Sequence, residues 1–362
     1  MQCRLCSSET KVFLDLSHIP FSVTSDCRVV DIGVKLFICE SCSLIQKNST
    51  QLLQQNYFDD FCSHSISDGI EQVKFVDGVP IPRSELILQN IKSEIKKEGS
   101  LLDIGTGNGS FLKAFKKFFP NWQLFGQDIQ SNSKEEILKI VPEENLYIKD
   151  IKHIDKKFDM ISIIGVLGHI PDVKEFLSNL KNITHKDSAI LIQTADIQKN
   201  FFDVVIVDYI TYFSKSILDK IISEHFNNIS FFDIVHKEIT LLSDTKNTTK
   251  SLDYEKEMKD ILNQAQIFEK FVNFLATTKD SFVVFGTAPV STYIGAVLGD
   301  KLISFSDEDT LRIGKTHLNK DIVHPKEIDE QHKIILPFLQ SDIVQSIKER
   351  YKKYSFISYM DI

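Results

Sequence analysis

The sequence lacks several features that would assign it to a class at once. None of its 362 residues lies in an apolar run as long as the 18 or so that a membrane-spanning helix needs, and its first residues do not form a signal peptide. Its 42 basic residues are outnumbered by 50 acidic ones, whereas phosphate binding requires clustered Lys and Arg. We therefore expect a cytoplasmic protein with no membrane and no nucleic-acid partner.

Composition and length indicate a folded protein of more than one domain. Apolar residues make up 42% and charged residues 25% of the chain, which is ordinary for globular proteins. The length exceeds what one hydrophobic core usually organises. Changes in pattern predict three domains, over residues 1–75, 76–245 and 246–362.

Four of the six cysteines occur in two C-x-x-C pairs, Cys3 with Cys6 and Cys39 with Cys42. Each pair presents two thiolates from one tight turn, and two such turns complete a tetrahedral zinc site. Four thiolates leave no open position, so the predicted zinc is structural. Reduced cysteines without metal are the alternative, and Cys27 and Cys62 are interpreted as spare thiols.

In the middle of the chain, apolar strands alternate with amphipathic helices, which is typical of a parallel sheet with helices on both faces. The predicted strands cover residues 101–105, 122–128, 145–148, 158–164 and 189–193, and the predicted helices 83–97, 110–118, 134–140 and 174–183. A second, smaller nucleotide-binding-like unit is predicted from a helix over 252–278 and strands over 282–285, 302–305 and 334–336.

The most specific motif lies in residues 102–112, where Asp103 is followed by glycines at 105, 107 and 109. Glycines at alternate positions after a strand let the backbone turn tightly and approach a ligand that a Cβ would exclude. Asp128 ends the next strand, where a carboxylate can accept hydrogen bonds from a ribose diol. An ordinary Gly-rich turn is the alternative interpretation.

This arrangement resembles class I S-adenosylmethionine (SAM)-dependent methyltransferases. The resemblance implies that Asp103, Gly105, Gly107 and Gly109 line the methionine side of SAM and that Asp128 holds the ribose. Asp150 matches the position that usually meets the adenine, although alone it would be a surface carboxylate at a strand end. Residues 166–169 would face the transferred methyl group.

The order of motifs along the chain resembles a narrower family, the C-methyltransferases of nucleotide-linked deoxysugars. This resemblance implies an α/β fold with a small N-terminal zinc-binding domain, a Rossmann-like SAM domain and a C-terminal Rossmann-like domain. The matching segments are the two C-x-x-C pairs, residues 44–46, the SAM motif, and residues 166–172, 212–214 and 285–288.

One segment departs from that family. Where the family has a Tyr/Glu/His cluster that removes a proton beside the sugar carbonyl, residues 206–209 read Ile-Val-Asp-Tyr. His169 matches the family's histidine and could serve as general base, or could be a packing residue. Asp208 and Tyr209 could form a replacement acid/base pair, or be structural remnants.

The expected function is methyl transfer from SAM to a sugar-like small molecule, carried as a nucleotide conjugate. An O- or N-methyltransferase is the alternative enzyme. A scaffold protein that retains the SAM fold without turnover is the alternative outside enzymes, since fold analogy alone does not establish activity.

Overall fold

The computed structural model describes residues 1–48, 71, 73–76, 79–246 and 252–362. Within these residues the chain divides into two compact units, each built from three segments. The first contains Met1–Lys11, Ile38–Asp196 and Ile210–Tyr254, and the second Val12–Phe37, Ile197–Tyr209 and Glu255–Ile362. The three-domain boundaries stay a prediction. Tyr57, Cys62 and His64 lie outside the described residues.

Short strands characterise the described residues up to Pro82. They are β1 (Thr10–Asp15), β2 (Ser22–Val23), β3 (Val29–Val30), β4 (Lys35–Cys39), β5 (Ile45–Lys47), β6 (Val73–Val76) and β7 (Val79–Pro82). In the second unit β2 pairs with β3, and in the first β6 pairs with β7, both antiparallel. One C-x-x-C turn precedes β1 and the other follows β4, so each cysteine pair lies beside a strand end.

A seven-stranded sheet forms the centre of the first unit. Its strands are β8 (Ser100–Ile104), β9 (Gln123–Asp128), β10 (Leu146–Ile148), β11 (Phe158–Ile164), β12 (Thr184–Ala195), β14 (Ser230–Phe232) and β15 (Glu238–Leu242). The strand order is β10-β9-β8-β11-β12-β15-β14. Strands β8 to β12 pair in parallel. The chain reverses direction across the sheet between β8 and β11, which is where open α/β sheets bind ligands.

The sheet is mixed, which corrects the expectation of a parallel one. β15 runs antiparallel to both β12 and β14. Residues 233–237 alone join β14 to β15, and so short a connection cannot make the crossover that a parallel pair requires. The small strand β13 (Thr211–Tyr212) lies apart from this sheet and pairs antiparallel with β5.

Helices cover both faces of the sheet. They are α1 (Arg83–Ile91), α2 (Ser110–Phe118), α3 (Lys134–Leu138), α4 (Val173–Asn182) and α5 (Lys215–Ile222). Successive strand residues point to opposite faces, so Leu101 packs in the cluster with α1 and α2, and Leu102 packs in the cluster with α4 and α5. Cys3 and Cys39 belong to the second cluster, so the cysteine turns share a core with the central sheet.

The second unit contains a six-stranded sheet whose strands are β16 (Phe282–Phe285), β17 (Leu302–Ser306), β18 (Thr316–His317), β19 (Lys320–Val323), β20 (Lys333–Leu336) and β21 (Ser355–Ser358). The strand order is β18-β19-β17-β16-β20-β21. All pairings are parallel except that of β18 with β19. The associated helices are α6 (Tyr254–Thr277), α7 (Pro289–Leu298) and α8 (Ser341–Arg350). Among the helices of the described residues, none is long and apolar enough to cross a membrane.

Candidate functional site

The Gly-rich loop between β8 and α2 is held in shape by the end of β9. The Gln127 carbonyl accepts hydrogen bonds from the N–H groups of Gly105 (2.8 Å) and Thr106 (3.0 Å). The Thr106 hydroxyl in turn donates to the Asp103 carbonyl at 2.9 Å. These hydrogen bonds within the protein fix the conformation of the loop without a ligand, so the loop is preorganised for binding.

Glycine is required in this loop by conformation and by space. Gly105, Gly107 and Gly109 all have positive φ, at 68°, 54° and 79°. A Cβ on Gly105 would lie 2.3 Å from Cγ2 of Val166, in the segment that follows β11. The Gly-rich loop and that segment are therefore in contact, and a side chain at 105 would separate them.

Asp128 lies where the sequence predicts the ribose-binding carboxylate. Its Oδ2 accepts from the Gly107 N–H at 3.0 Å, and its Oδ1 accepts from the Gln130 N–H at 3.1 Å. Asp128 thus joins the end of β9 to the middle glycine of the loop. The side chain is only partly buried, so its remaining acceptor capacity is accessible to a hydroxyl.

Asp103 is buried beneath this loop. Its side chain is 2% exposed, and its Oδ1 accepts a hydrogen bond from the Ser162 hydroxyl at 2.6 Å. Burial raises the pKa of the Asp103 carboxyl to about 7, and the charge of Asp128 adds to the rise while the bond from Ser162 opposes it. Asp103 therefore ties β8 to β11, and a direct contact with SAM stays a prediction.

The Asp103→Asn variant is expected to remove a pH dependence of stability. Because the folded state holds the Asp103 proton up to about pH 7 and the unfolded state releases it near 4, ionisation destabilises the wild type as the pH rises between these values. As the pH rises from 4 to 8, the free energy of unfolding of wild type should fall by roughly 2–4 kcal/mol relative to that of Asp103→Asn. Urea unfolding of the ligand-free proteins measures this. Equal pH profiles would contradict it, and Asp150→Asn, at an exposed site, is the control.

Asp150, the predicted adenine contact, follows β10 at the same sheet edge as Asp128. Ile148 pairs directly with Asp128 in the parallel register of β10 and β9. The exposed Asp150 carboxylate accepts from the Lys152 N–H at 2.9 Å and lies 3.6 Å from the Lys152 ammonium. It caps a short 3-10 turn, Ile151–His153, so its observed role is local.

His169 lies in the segment after β11, at the carboxyl edge of the sheet. A 3-10 turn over Leu167–His169 follows Gly165, and the His169 N–H donates to the Val166 carbonyl at 2.9 Å. The imidazole is partly buried. Since Val166 contacts the Gly-rich loop at Gly105, the sheet brings His169 and the candidate cofactor loop to one edge.

Asp208 and Tyr209 belong to the second unit. Asp208 is fully buried, and its Oδ1 accepts from the Ser25 N–H at 2.8 Å, next to β2. The Val207 N–H donates to the Val23 carbonyl at 2.7 Å, and the Tyr209 N–H donates to the Ile206 carbonyl at 3.2 Å. These contacts fasten residues 206–209 to β2, which is the role observed for Asp208.

The four predicted zinc ligands come together in the first unit. The sulfur atoms of Cys3, Cys6, Cys39 and Cys42 all lie within 4.8 Å of one another. Three pairs are at 3.5, 3.5 and 3.6 Å, and the sulfurs of a tetrahedral zinc site lie about 3.8 Å apart, since Zn–S bonds are about 2.3 Å. The donor set and spacing therefore fit zinc.

The two cysteine turns have equivalent backbones. Ser7 and Ser43, which directly follow the second cysteine of each pair, both have φ of 61°, and their N–H groups donate to the carbonyls of Cys3 and Cys39, each at 3.0 Å. A further N–H bonds to sulfur at the same place in each turn, from Leu5 to Cys3 and from Ser41 to Cys39, each at 3.4 Å. Such donors stabilise thiolates.

The pKa values of the thiols in the cluster depend on one another. A hydrogen bond from Cys42 lowers the pKa of Cys3 to about 5, and the same bond raises the pKa of Cys42. Burial raises the pKa of Cys39. Four thiolates this close repel one another, so a divalent cation is what would let all four ionise together.

Comparison with known proteins agrees with the geometry of the Gly-rich loop. Residues 83–239 match a protein family model described as a methyltransferase domain. The matched residues include the Gly-rich loop, Asp128 and His169, so the candidate site lies within the part of the chain that is similar to a methyltransferase domain.

Individual relatives are distant. A protein named probable (S)-tetrahydroprotoberberine N-methyltransferase 2, from Papaver bracteatum, is 27% identical over 111 residues, which are 28% of this chain and 30% of that protein. Human N-acetylserotonin methyltransferase in complex with SAM is 15% identical over 46% of this chain and 51% of that one, with a TM-score of 0.37. An O-methyltransferase family protein from Burkholderia thailandensis is 10% identical over 42% and 52%, with a TM-score of 0.35.

Several residues that shape the site were missed in the sequence. Ser162 binds the buried Asp103, and Val166 contacts Gly105, but both read as ordinary strand and loop residues. Gln127, next to Asp128, shows no motif in the sequence, yet its amide donates to the Lys149 carbonyl at 2.6 Å and joins β9 to the end of β10. Arg4, between the first two cysteines, carried no signal at all.

Proposed function

We propose that the protein transfers the methyl group of SAM to a small-molecule acceptor. The observation that carries this proposal is the Gly-rich loop, with three positive-φ glycines and its middle N–H bonded to the Asp128 carboxylate. Asp128 would accept from the ribose hydroxyls, and Asp150 would meet the adenine. The sulfonium of SAM supplies an electrophilic methyl group.

We propose that the acceptor is sugar-like and carried as a nucleotide conjugate. Support comes from the order of motifs along the whole chain, with paired cysteines first, the methyltransferase domain second and a mostly parallel α/β sheet last. The chain would align the acceptor in line with the methyl group, and His169 would accept the proton that carbon or hydroxyl acceptors must lose.

Methylation of oxygen or nitrogen is the second candidate, and a specific observation favours it. Ile206 and Tyr209 stand where the sugar C-methyltransferases have the Tyr and His used for proton removal, and Asp208 is buried and bonded to the Ser25 backbone. An amine acceptor that already carries a lone pair needs no such group. The acceptor atom therefore separates the two candidates.

We propose that zinc binds Cys3, Cys6, Cys39 and Cys42 as a structural ion. The four sulfurs already lie within 4.8 Å of one another, and all four ligand positions would be thiolates, which leaves no place for a reacting water. The ion would hold the two cysteine turns against the core shared with α4 and α5.

The test is a methyl-transfer and hydrogen-exchange assay on a panel of nucleotide sugars and small amines and phenols. Transfer to a nucleotide sugar, with exchange of the proton beside its keto group for deuterium, is the result expected for carbon methylation. Transfer without exchange would show an oxygen or nitrogen acceptor instead. Binding of S-adenosylhomocysteine (SAH) without transfer to any member would favour the scaffold protein.

A further inference from the structure

We propose that Arg4 is a positioning residue that sets the place of His169. Arg4 stands between Cys3 and Cys6, and its guanidinium donates to the Pro171 carbonyl at 2.7 Å and to the Lys47 carbonyl at 3.2 Å. One side chain thus joins the first cysteine turn to the end of the segment that carries His169. The inference rests on the proposed function, in which His169 serves the acceptor.

The backbone of Arg4 is fixed by a buried amide. The Arg4 N–H donates to Oε1 of Gln46 at 2.9 Å, and Nε2 of the same Gln46 donates to the Gln2 carbonyl at 2.9 Å. Gln46 is fully buried and lies in β5, directly after the second cysteine turn. The position of the Arg4 backbone is therefore set by both cysteine turns.

A second connection reaches the same segment through β5. The Lys47 N–H donates to the Ile210 carbonyl at 2.9 Å, and the Ile210 N–H donates to the Gly168 carbonyl at 2.9 Å. The Arg4 guanidinium therefore binds the carbonyls of Lys47, at one end of this chain of bonds, and of Pro171, three residues after Gly168 at its other end. Residues 168 and 171 are thus each tied to the cysteine turns, with His169 between them.

The segment leads from these ties to the cofactor loop. Val166 begins it in contact with Gly105, and its carbonyl accepts from the His169 N–H. A guanidinium that donates to two carbonyls fixes both direction and distance, whereas an ammonium of similar length acts as a point donor. Loss of Arg4 should therefore shift His169 while leaving the Gly-rich loop, which is held by Gln127, in place.

The experiment records the ring Cε1–H signals of the 10 histidines by carbon–proton NMR in the zinc-loaded chain of 362 residues. His169→Gln assigns the His169 signal by its loss. In Arg4→Met that signal should be displaced beyond its line width, with zinc content and SAH affinity unchanged. The control is Lys96→Met, since Lys96 also donates to a backbone carbonyl, that of Asp187 at 2.9 Å.

An unmoved His169 signal in folded, zinc-loaded Arg4→Met, or an equal displacement in Lys96→Met, would overturn the proposal. If Arg4→Met does not fold, Arg4→Lys replaces it; a displacement of the His169 signal beyond its line width then supports the proposal, and an unmoved signal refutes it. SAH titration of the wild type judges the cofactor proposal separately. With an acceptor in hand, Arg4→Met should lower kcat about 10–100-fold at unchanged KM for SAM.

Discussion

Cys39→Ser should lose zinc and loosen the fold around the two cysteine turns. Cys39 is 1% exposed, belongs to the core shared with α4 and α5, and accepts backbone N–H bonds through its sulfur. The binding energy of a structural zinc ion is also folding energy, on the order of 10 kcal/mol, and three remaining thiolates would hold the ion far less tightly. We expect about one zinc per wild-type chain and little in the variant, measured by elemental analysis.

Hydrogen exchange in β5 reports the structural consequence. Its amides should exchange on the order of 10²-fold faster in Cys39→Ser, because the strand follows the turn that the zinc would close. Cys27→Ser is the matched control, since Cys27 is also buried but lies in the second unit and contacts the Thr287 carbonyl. Zinc at the wild-type level in Cys39→Ser, or none in reduced wild type, would contradict the metal site.

The His169→Gln variant is expected to lose methyl transfer by about 10²–10⁴-fold while binding SAH as wild type does. The reason is positional: His169 follows β11 at the carboxyl edge, and its segment contacts the Gly-rich loop through Val166. Single-turnover transfer to an acceptor found in the substrate panel is the measurement. Gln keeps a polar side chain of similar reach but cannot take the proton.

His185→Gln is the control for that loss. His185 lies at the N-terminal end of β12, away from the carboxyl edge of the sheet, with its Nε2 3.2 Å from Oδ1 of Asp159. Asp208→Asn and Tyr209→Phe test the proposed replacement pair in the same assay. A rate loss in Asp208→Asn with normal stability would favour its use as an acid or base, whereas a stability loss alone would match its bond to Ser25. Wild-type rates in His169→Gln would remove His169 from the mechanism.

Local patterns in the sequence predicted the elements around the Gly-rich loop well. The predicted helix over residues 110–118 is confirmed as α2, and the predicted strand ending at Asp128 is confirmed as β9. Both follow from short-range information, namely an apolar strand, a glycine turn and an amphipathic repeat. The clustering of the four cysteines is likewise what their spacing predicted.

The predictions failed where distant contacts decide the structure. The helix predicted over 83–97 ends at Ile91, because the Lys96 carbonyl accepts from the Trp122 indole N–H at 3.0 Å and residues 92–97 turn to present it. The helix predicted over 134–140 ends at Leu138, where the Ile140 N–H bonds to the Ile137 carbonyl in a tighter turn. The bonds of Arg4 to Pro171 and of Asp208 to Ser25 join residues far apart in sequence, so no local pattern encodes them.

Titration calorimetry of SAH with wild type and Asp128→Ala tests the central claim most directly. Asp128 is bonded to the loop at Gly107 and is the proposed partner of the ribose hydroxyls. Removal of a charged acceptor from such hydrogen bonds should weaken binding by about 1.5–3 kcal/mol, or roughly 10- to 150-fold in Kd. The proposal predicts wild-type binding at one site per chain and this loss in the folded variant. Absence of binding to the wild type, or equal affinity of the two proteins, would contradict it.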